Sequence, residues 1–165
     1  MSTQKILGID RNFLADFMYG IFIGIAIIIL GKIFTFVGAI GIPLNLTISL
    51  DDLGRFLIIC IVAPITEEIF FRQFVLSFFD DKLENFGIKV NFFFAAVFSA
   101  VIFSLFHLLA YGGSLQSAGG SFFSAALMGL VFAYEVKIFK SVLPSILTHS
   151  VINISILLSL SVIFG

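Results

Sequence analysis

A chain of 165 residues that is 60% hydrophobic and only 12% charged is too apolar for a soluble domain, where about a quarter of residues carry charge. Its net charge of −1 gives no sign of a basic surface for nucleic acid or for a membrane, and its mean hydropathy is +1.19. A single cysteine, Cys60, excludes an internal disulfide; it lies in the apolar run 57–62 and reads as a small core residue.

The apolar runs are continuous rather than alternating, which favours membrane-spanning helices over a closed barrel. Five spans can be read in chain order: residues 13–37, 55–79, 92–110, 122–139 and 141–164. Each has roughly the 18 to 25 residues that a hydrocarbon core requires. The fold class is therefore all-α, a polytopic transmembrane bundle forming a single domain over residues 1–165. Lys5 and Arg11 precede the first span as they would precede a signal peptide. The span is too long for a signal h-region and no clear cleavage site comes after it, so it reads as an uncleaved helix.

In the second span Pro64 lacks a backbone donor, which leaves the Cys60 carbonyl without its usual partner and predicts a kink before Glu67. Pro144 suits the first turn of the fifth span. The uncharged segment Tyr111 to Gly120 carries four glycines and reads as a flexible connector or as a mobile cover over a site. Lys5, Arg11, Lys82, Lys89, Lys137 and Lys140 fall on one side of the membrane, Lys32 and Arg55 on the other. The positive-inside rule then places the N-terminus inside and the C-terminus outside. Asp51, Asp52, Asp80, Asp81, Glu84 and Glu135 read as solvated loop charges.

Glu67 and Glu68 stand out because a carboxylate at helix centre costs about 2.5 to 3.5 kcal/mol to insert. Glu68 and Arg72 are four residues apart on one helical face and can pair, which leaves Glu67 about 100° away without a local partner. Phe103 and His107 share a face of the third span, and His149 and Asn153 share a face of the fifth. The chain has two histidines, and both fall in spans. Glu67, His107, His149 and Asn153 can thus converge from three helices. A carboxylate beside an imidazole in a dry site can take a proton from water, and a His with an Asn can donate to a developing oxyanion. Those parts suffice to hydrolyse an amide without a covalent intermediate. Arg72 held by Glu68 orients its helix. There is no His-Glu-x-x-His and no Gly-x-Ser-x-Gly. The mechanism needs no cofactor, although Glu67, His107 and His149 also form a reasonable zinc set.

These residues stand in three motifs: Glu67-Glu68-Ile69-Phe70-Phe71-Arg72, Phe103-Ser104-Leu105-Phe106-His107 and His149-Ser150-Val151-Ile152-Asn153. In order, spacing and placement the set resembles the CPBP family of CAAX proteases and bacteriocin-processing enzymes, also called the Abi family. The resemblance covers residues 55–164, which it implies form a four-helix catalytic core, with span 13–37 as an accessory helix. It implies a multi-pass endopeptidase, expected in a prokaryotic plasma membrane, acting on a membrane-associated or lipidated peptide or protein. It assigns Glu67 and His107 to water activation, and His149 and Asn153 to the oxyanion, with Glu68, Arg72 and Phe103 in support. Many bacterial relatives are named metalloproteases, and some are linked to bacteriocin immunity. The alternative is a non-catalytic immunity or regulatory protein that keeps the fold; an ion or proton carrier is a third reading. The expected partners are a peptide or protein substrate and the lipid bilayer.

Overall fold

The computed structural model describes residues 13–36, 53–82, 87, 91–111 and 115–164. Among them there is no strand. Five helices appear: α1 (Phe13–Phe36), α2 (53–82), α3 (Phe92–Tyr111), α4 (Leu115–Phe139) and α5 (Leu143–Phe164). Three contain apolar windows long enough to cross a membrane, Phe13–Leu30, Phe92–Leu109 and Phe122–Phe139, and Leu143–Leu157 is a shorter apolar helix. The protein is a multi-pass helical membrane bundle. Lys5, Arg11, Asp51, Asp52, Glu84 and Lys89 lie outside the described residues.

The side chains are distributed for a lipid solvent. Leu14, Phe22, Phe74, Leu109 and Ile138 are all more than half exposed. Asp16, Glu68, Arg72, Ser99, Ser104, Glu135, Thr148 and His149 are buried. In water such a shell would be an aggregation surface; in a bilayer the acyl chains cover it and the polar groups turn inside.

Small residues bring the helices close. A Cβ at Gly129 on α4 would lie 3.0 Å from the Cα of Ala100 on α3. On α1, a Cβ at Gly20 would meet Leu147 Cβ at 2.7 Å and the Pro144 carbonyl at 2.8 Å, and one at Gly24 would meet Val151 at 2.9 Å. Gly20 and Gly24 form a small-x-x-x-small stripe that lets the α1 and α5 backbones touch. Because Gly20 faces Leu147 and Gly24 faces Val151, the two helices run parallel. Beneath them the chain turns tightly from α4 into α5. Lys140 takes a left-handed φ of 56°, and the Leu143 N–H donates to Ser141 Oγ at 3.1 Å. Pro144 sits in the first turn, as expected.

Three sequence expectations are corrected. Much of the segment Tyr111 to Gly120 is helical, since α3 reaches Tyr111 and α4 starts at Leu115. A glycine costs a helix about 1 kcal/mol, less than an unpaired peptide group costs in lipid, so helix persists through Gly119 and Gly120. The vacancy that Pro64 leaves is not confined to the Cys60 carbonyl. Residues Ile58–Val62 form a π turn, in which the Ala63 N–H donates to the Ile58 carbonyl. By the same five-residue offset the Ile59 carbonyl also lacks the Pro64 donor. Glu135 is not a solvated loop charge. It is 3% exposed, its Oε1 lies 2.6 Å from Thr148 Oγ1 on α5, and Thr148 donates to the Gly20 carbonyl on α1 at 3.0 Å. The tight turn at Lys140 folds α5 back along α4, and that covers Glu135.

Replacing Gly20 or Gly24 with Ala is expected to lower the thermal unfolding midpoint in detergent, corresponding to about 1 to 3 kcal/mol of overpacking. An unchanged midpoint for Gly20→Ala would rule out the close approach of α1 to α5.

Candidate active site

The site is built on the middle of α2. The Pro64 segment, Ala63–Glu68, is α-helical, and it is flanked by π stretches at Ile58–Val62 and Ile69–Leu76. A π turn rotates the helical residues beyond it relative to those before it, and such turns recur at functional sites. Here they bracket both glutamates.

Glu68 and Arg72 pair as their spacing predicts: Arg72 Nε donates to Glu68 Oε2 at 2.9 Å, and both side chains are fully buried. The other carboxylate oxygen has a partner that the sequence did not suggest. His149 Nδ1 lies 3.2 Å from Glu68 Oε1. A carboxylate paired with a guanidinium can only accept, so Nδ1 carries the proton and Nε2 is the nitrogen left for chemistry. Arg72 is held further by Ser99 on α3, whose Oγ accepts from Nη1 at 3.2 Å. Its guanidinium carbon sits 5.0 Å from the Phe103 ring centre and 5.5 Å from that of Phe132. The two rings receive the cation on their faces.

Phe103 acts on His107 through its backbone as well as its ring. His107 Nδ1 donates to the Phe103 carbonyl at 3.0 Å, and the rings are 4.2 Å apart. Nδ1 is thereby the donor on this histidine too, and His107 Nε2 faces Glu67 Oε2 at 3.6 Å. These two side chains are less sealed than the ion pair: Glu67 is 14% and His107 18% exposed, against 0% for Glu68 and Arg72. The site thus has an accessible layer over a sealed one. Glu67 Oε2 has no hydrogen-bond partner among the described residues.

Glu67, His107 and His149 each offer one donor atom within 4.8 Å of the others. The structure therefore joins these three expected site residues, with Glu68, Arg72 and Phe103 behind them. Asn153 is engaged differently. Its Nδ2 donates to the Ile59 carbonyl at 2.9 Å, the same carbonyl that Pro64 leaves without a donor. Two imidazoles and a carboxylate, with both Nδ1–H groups anchored on oxygen acceptors, are a donor set that fits a divalent metal.

Sequence reasoning missed Ser99, Phe132, Glu135 and Thr148. Ser99 was within reach, since Ser99, Phe103 and His107 recur every four residues on one face of α3. Glu135 and Thr148 carried no such spacing.

The sequence matches the family described as type II CAAX prenyl endopeptidase Rce1-like over residues 49–155. The chain belongs to this family. The matched region contains every residue of the cluster and leaves α1 outside it. Comparison with curated proteins and with solved structures gives no match. The family is one of intramembrane endopeptidases, in keeping with carboxylate and imidazole groups converging inside the bundle.

Glu68→Ala would leave the Arg72 guanidinium buried without its carboxylate and is expected to cost about 3 to 5 kcal/mol of stability. Glu67→Ala, in the accessible layer, should stay within about 1 kcal/mol of wild type. Thermal unfolding of both variants in one detergent checks the contrast; equal midpoints would remove the distinction between sealed and accessible layers.

Proposed function

We propose that the protein is an intramembrane endopeptidase that hydrolyses a peptide bond of a membrane-associated or lipidated peptide or protein. The observation that carries this reading is the convergence of Glu67, His107 and His149 within 4.8 Å inside a lipid-facing bundle. Glu67 takes the proton from the attacking water. Its Oε2 has no competing hydrogen-bond donor among the described residues. His107, aligned by the Phe103 carbonyl, shares that proton across the 3.6 Å to Glu67 and delivers it to the leaving amine. His149 faces the developing oxyanion from the other side. Asn153 has two amide N–H groups; one is bonded to Ile59, and we assign the other to the oxyanion.

The protonation of His149 divides two versions of this chemistry. With Nδ1–H committed to Glu68, a neutral His149 offers only a lone pair at Nε2 and cannot donate to an oxyanion. A metal-free site therefore needs His149 as the cation, with the Glu68 carboxylate beside it as counter-charge. A neutral His149 instead suits metal ligation: Glu67, His107 and His149 would hold a divalent ion such as zinc, which supplies a Lewis acid at the scissile carbonyl.

The test is cleavage of a broad membrane-peptide library by purified wild type and Glu67→Gln, each with and without a chelator. Glu67→Gln should lower turnover at least about 100-fold while the protein stays folded. Activity that survives the chelator supports the cationic His149 version; activity lost and then restored by zinc supports the metal version. Full turnover by Glu67→Gln would overturn the assignment of the base. A folded wild type that cleaves nothing would favour the non-catalytic membrane partner.

A further inference from the structure

Ser99 on α3 is fully buried and lies one helical turn before Phe103 and two before His107. Its hydroxyl has one proton, and that proton goes to the Phe71 carbonyl at 3.2 Å, within the π stretch Ile69–Leu76. The bond fixes where the oxygen lone pairs point. They accept from Arg72 Nη1 at 3.2 Å. Arg72 Nε in turn donates to Glu68 Oε2 at 2.9 Å, and Glu68 Oε1 accepts from His149 Nδ1 at 3.2 Å. Every side chain in this chain of bonds is at most 8% exposed, so water does not substitute easily for a missing partner. Arg72 Nη2 has no hydrogen-bond partner among the described residues. The in-plane orientation of the guanidinium thus depends on Glu68 at one end and Ser99 at the other. Phe103 and Phe132 present their ring faces to the cation, but a ring face accepts no directed hydrogen bond that would fix the orientation of the guanidinium.

We propose that Ser99 is a positioning residue that, through Arg72 and Glu68, locks His149 with Nδ1–H on the carboxylate and Nε2 directed to the reacting groups. The proposal rests on the peptidase reading for its kinetic consequence, and its spectroscopic consequence is independent of that reading. Removing the hydroxyl frees Arg72 to rotate about its bond to Glu68. The Glu68 carboxylate moves with it, and the His149 ring loses its single orientation. Ser99 touches neither substrate nor reacting atoms, so its effect reaches the reaction only through the imidazole.

The chain contains two histidines, which makes the direct measurement simple. Full-length protein in detergent or bilayer, labelled with ring-¹⁵N histidine, gives four nitrogen signals, and His149→Asn assigns them. Wild type should show a protonated His149 Nδ1 in a single state. In Ser99→Ala that signal should split or shift toward a tautomer mixture, while the His107 signals hold. Where the library yields a substrate, kcat should fall about tenfold with KM within about twofold, the behaviour of a lost outer-shell partner. Ser99→Thr keeps the hydroxyl and should restore both the signal and kcat if its extra methyl is accommodated. His149 signals unchanged in folded Ser99→Ala overturn the proposal, whatever happens to kcat. If wild type cleaves no peptide, the peptidase reading fails, and the His149 signals still decide the role of Ser99.

Discussion

Everything in the core derives from burying the charges of Glu68 and Arg72 in a lipid-facing bundle. A carboxylate at helix centre costs about 2.5 to 3.5 kcal/mol to insert, and a bare arginine costs at least as much. Their 2.9 Å contact answers part of that cost and leaves valences over. Glu68 has a second oxygen, and Arg72 has further N–H groups and a delocalised positive charge. These surpluses recruit the other helices: His149 from α5 for the oxygen, Ser99 from α3 for Nη1, and the ring faces of Phe103 from α3 and Phe132 from α4 for the charge. One i,i+4 ion pair on α2 therefore registers three other helices. The orientation of His149 is a consequence of satisfying the pair.

The backbone obeys the same accounting. In hydrocarbon an unpaired carbonyl has no water to turn to. Pro64 removes a donor from the middle of α2, and the π turn at Ile58–Val62 leaves the Ile59 carbonyl unmatched. Asn153 fills the vacancy from α5 at 2.9 Å. The proline that reshapes α2 before the glutamates and the asparagine one turn beyond His149 are thus two halves of one arrangement. This gives Asn153 a structural reason to exist beside any catalytic one, and it joins α5 to α2 at a second level besides the Glu68–His149 contact.

Much of this was legible in the sequence because helical periodicity converts spacing into direction. The spacing of four between Glu68 and Arg72 foretold a pair that does form, at 2.9 Å, and the spacing of Phe103 and His107 placed them on one face, where their rings meet at 4.2 Å. Five apolar runs foretold five helices, and two histidines in spans foretold a convergence with a glutamate. The hidden features depend on which helix lies against which. Glu135 near the end of a predicted span looks like a loop charge until α5 folds back over it and Thr148 meets it at 2.6 Å. The Glu68–His149 contact bridges residues 81 apart in sequence, and no local pattern encodes it. The π turns were hidden for another reason: proline announces a break in the hydrogen-bond ladder without saying whether the helix kinks or shifts register.

The two adjacent glutamates can now be understood as a division of labour that a single carboxylate could not perform. Successive residues on a helix point about 100° apart, so Glu67 and Glu68 cannot share one environment. Glu68 faces the sealed interior, where both oxygens are committed and exposure is 0%. Glu67 faces the less sealed layer; its Oε2 is itself buried but has no hydrogen-bond donor among the described residues, and His107 Nε2 waits at 3.6 Å. A carboxylate already holding Arg72 and His149 would be a poor base, because its lone pairs are occupied. A carboxylate left open would be a poor anchor. Placing the two side by side lets the fixed one orient His149 toward the same small volume that the open one enters, and His107 closes that volume from α3.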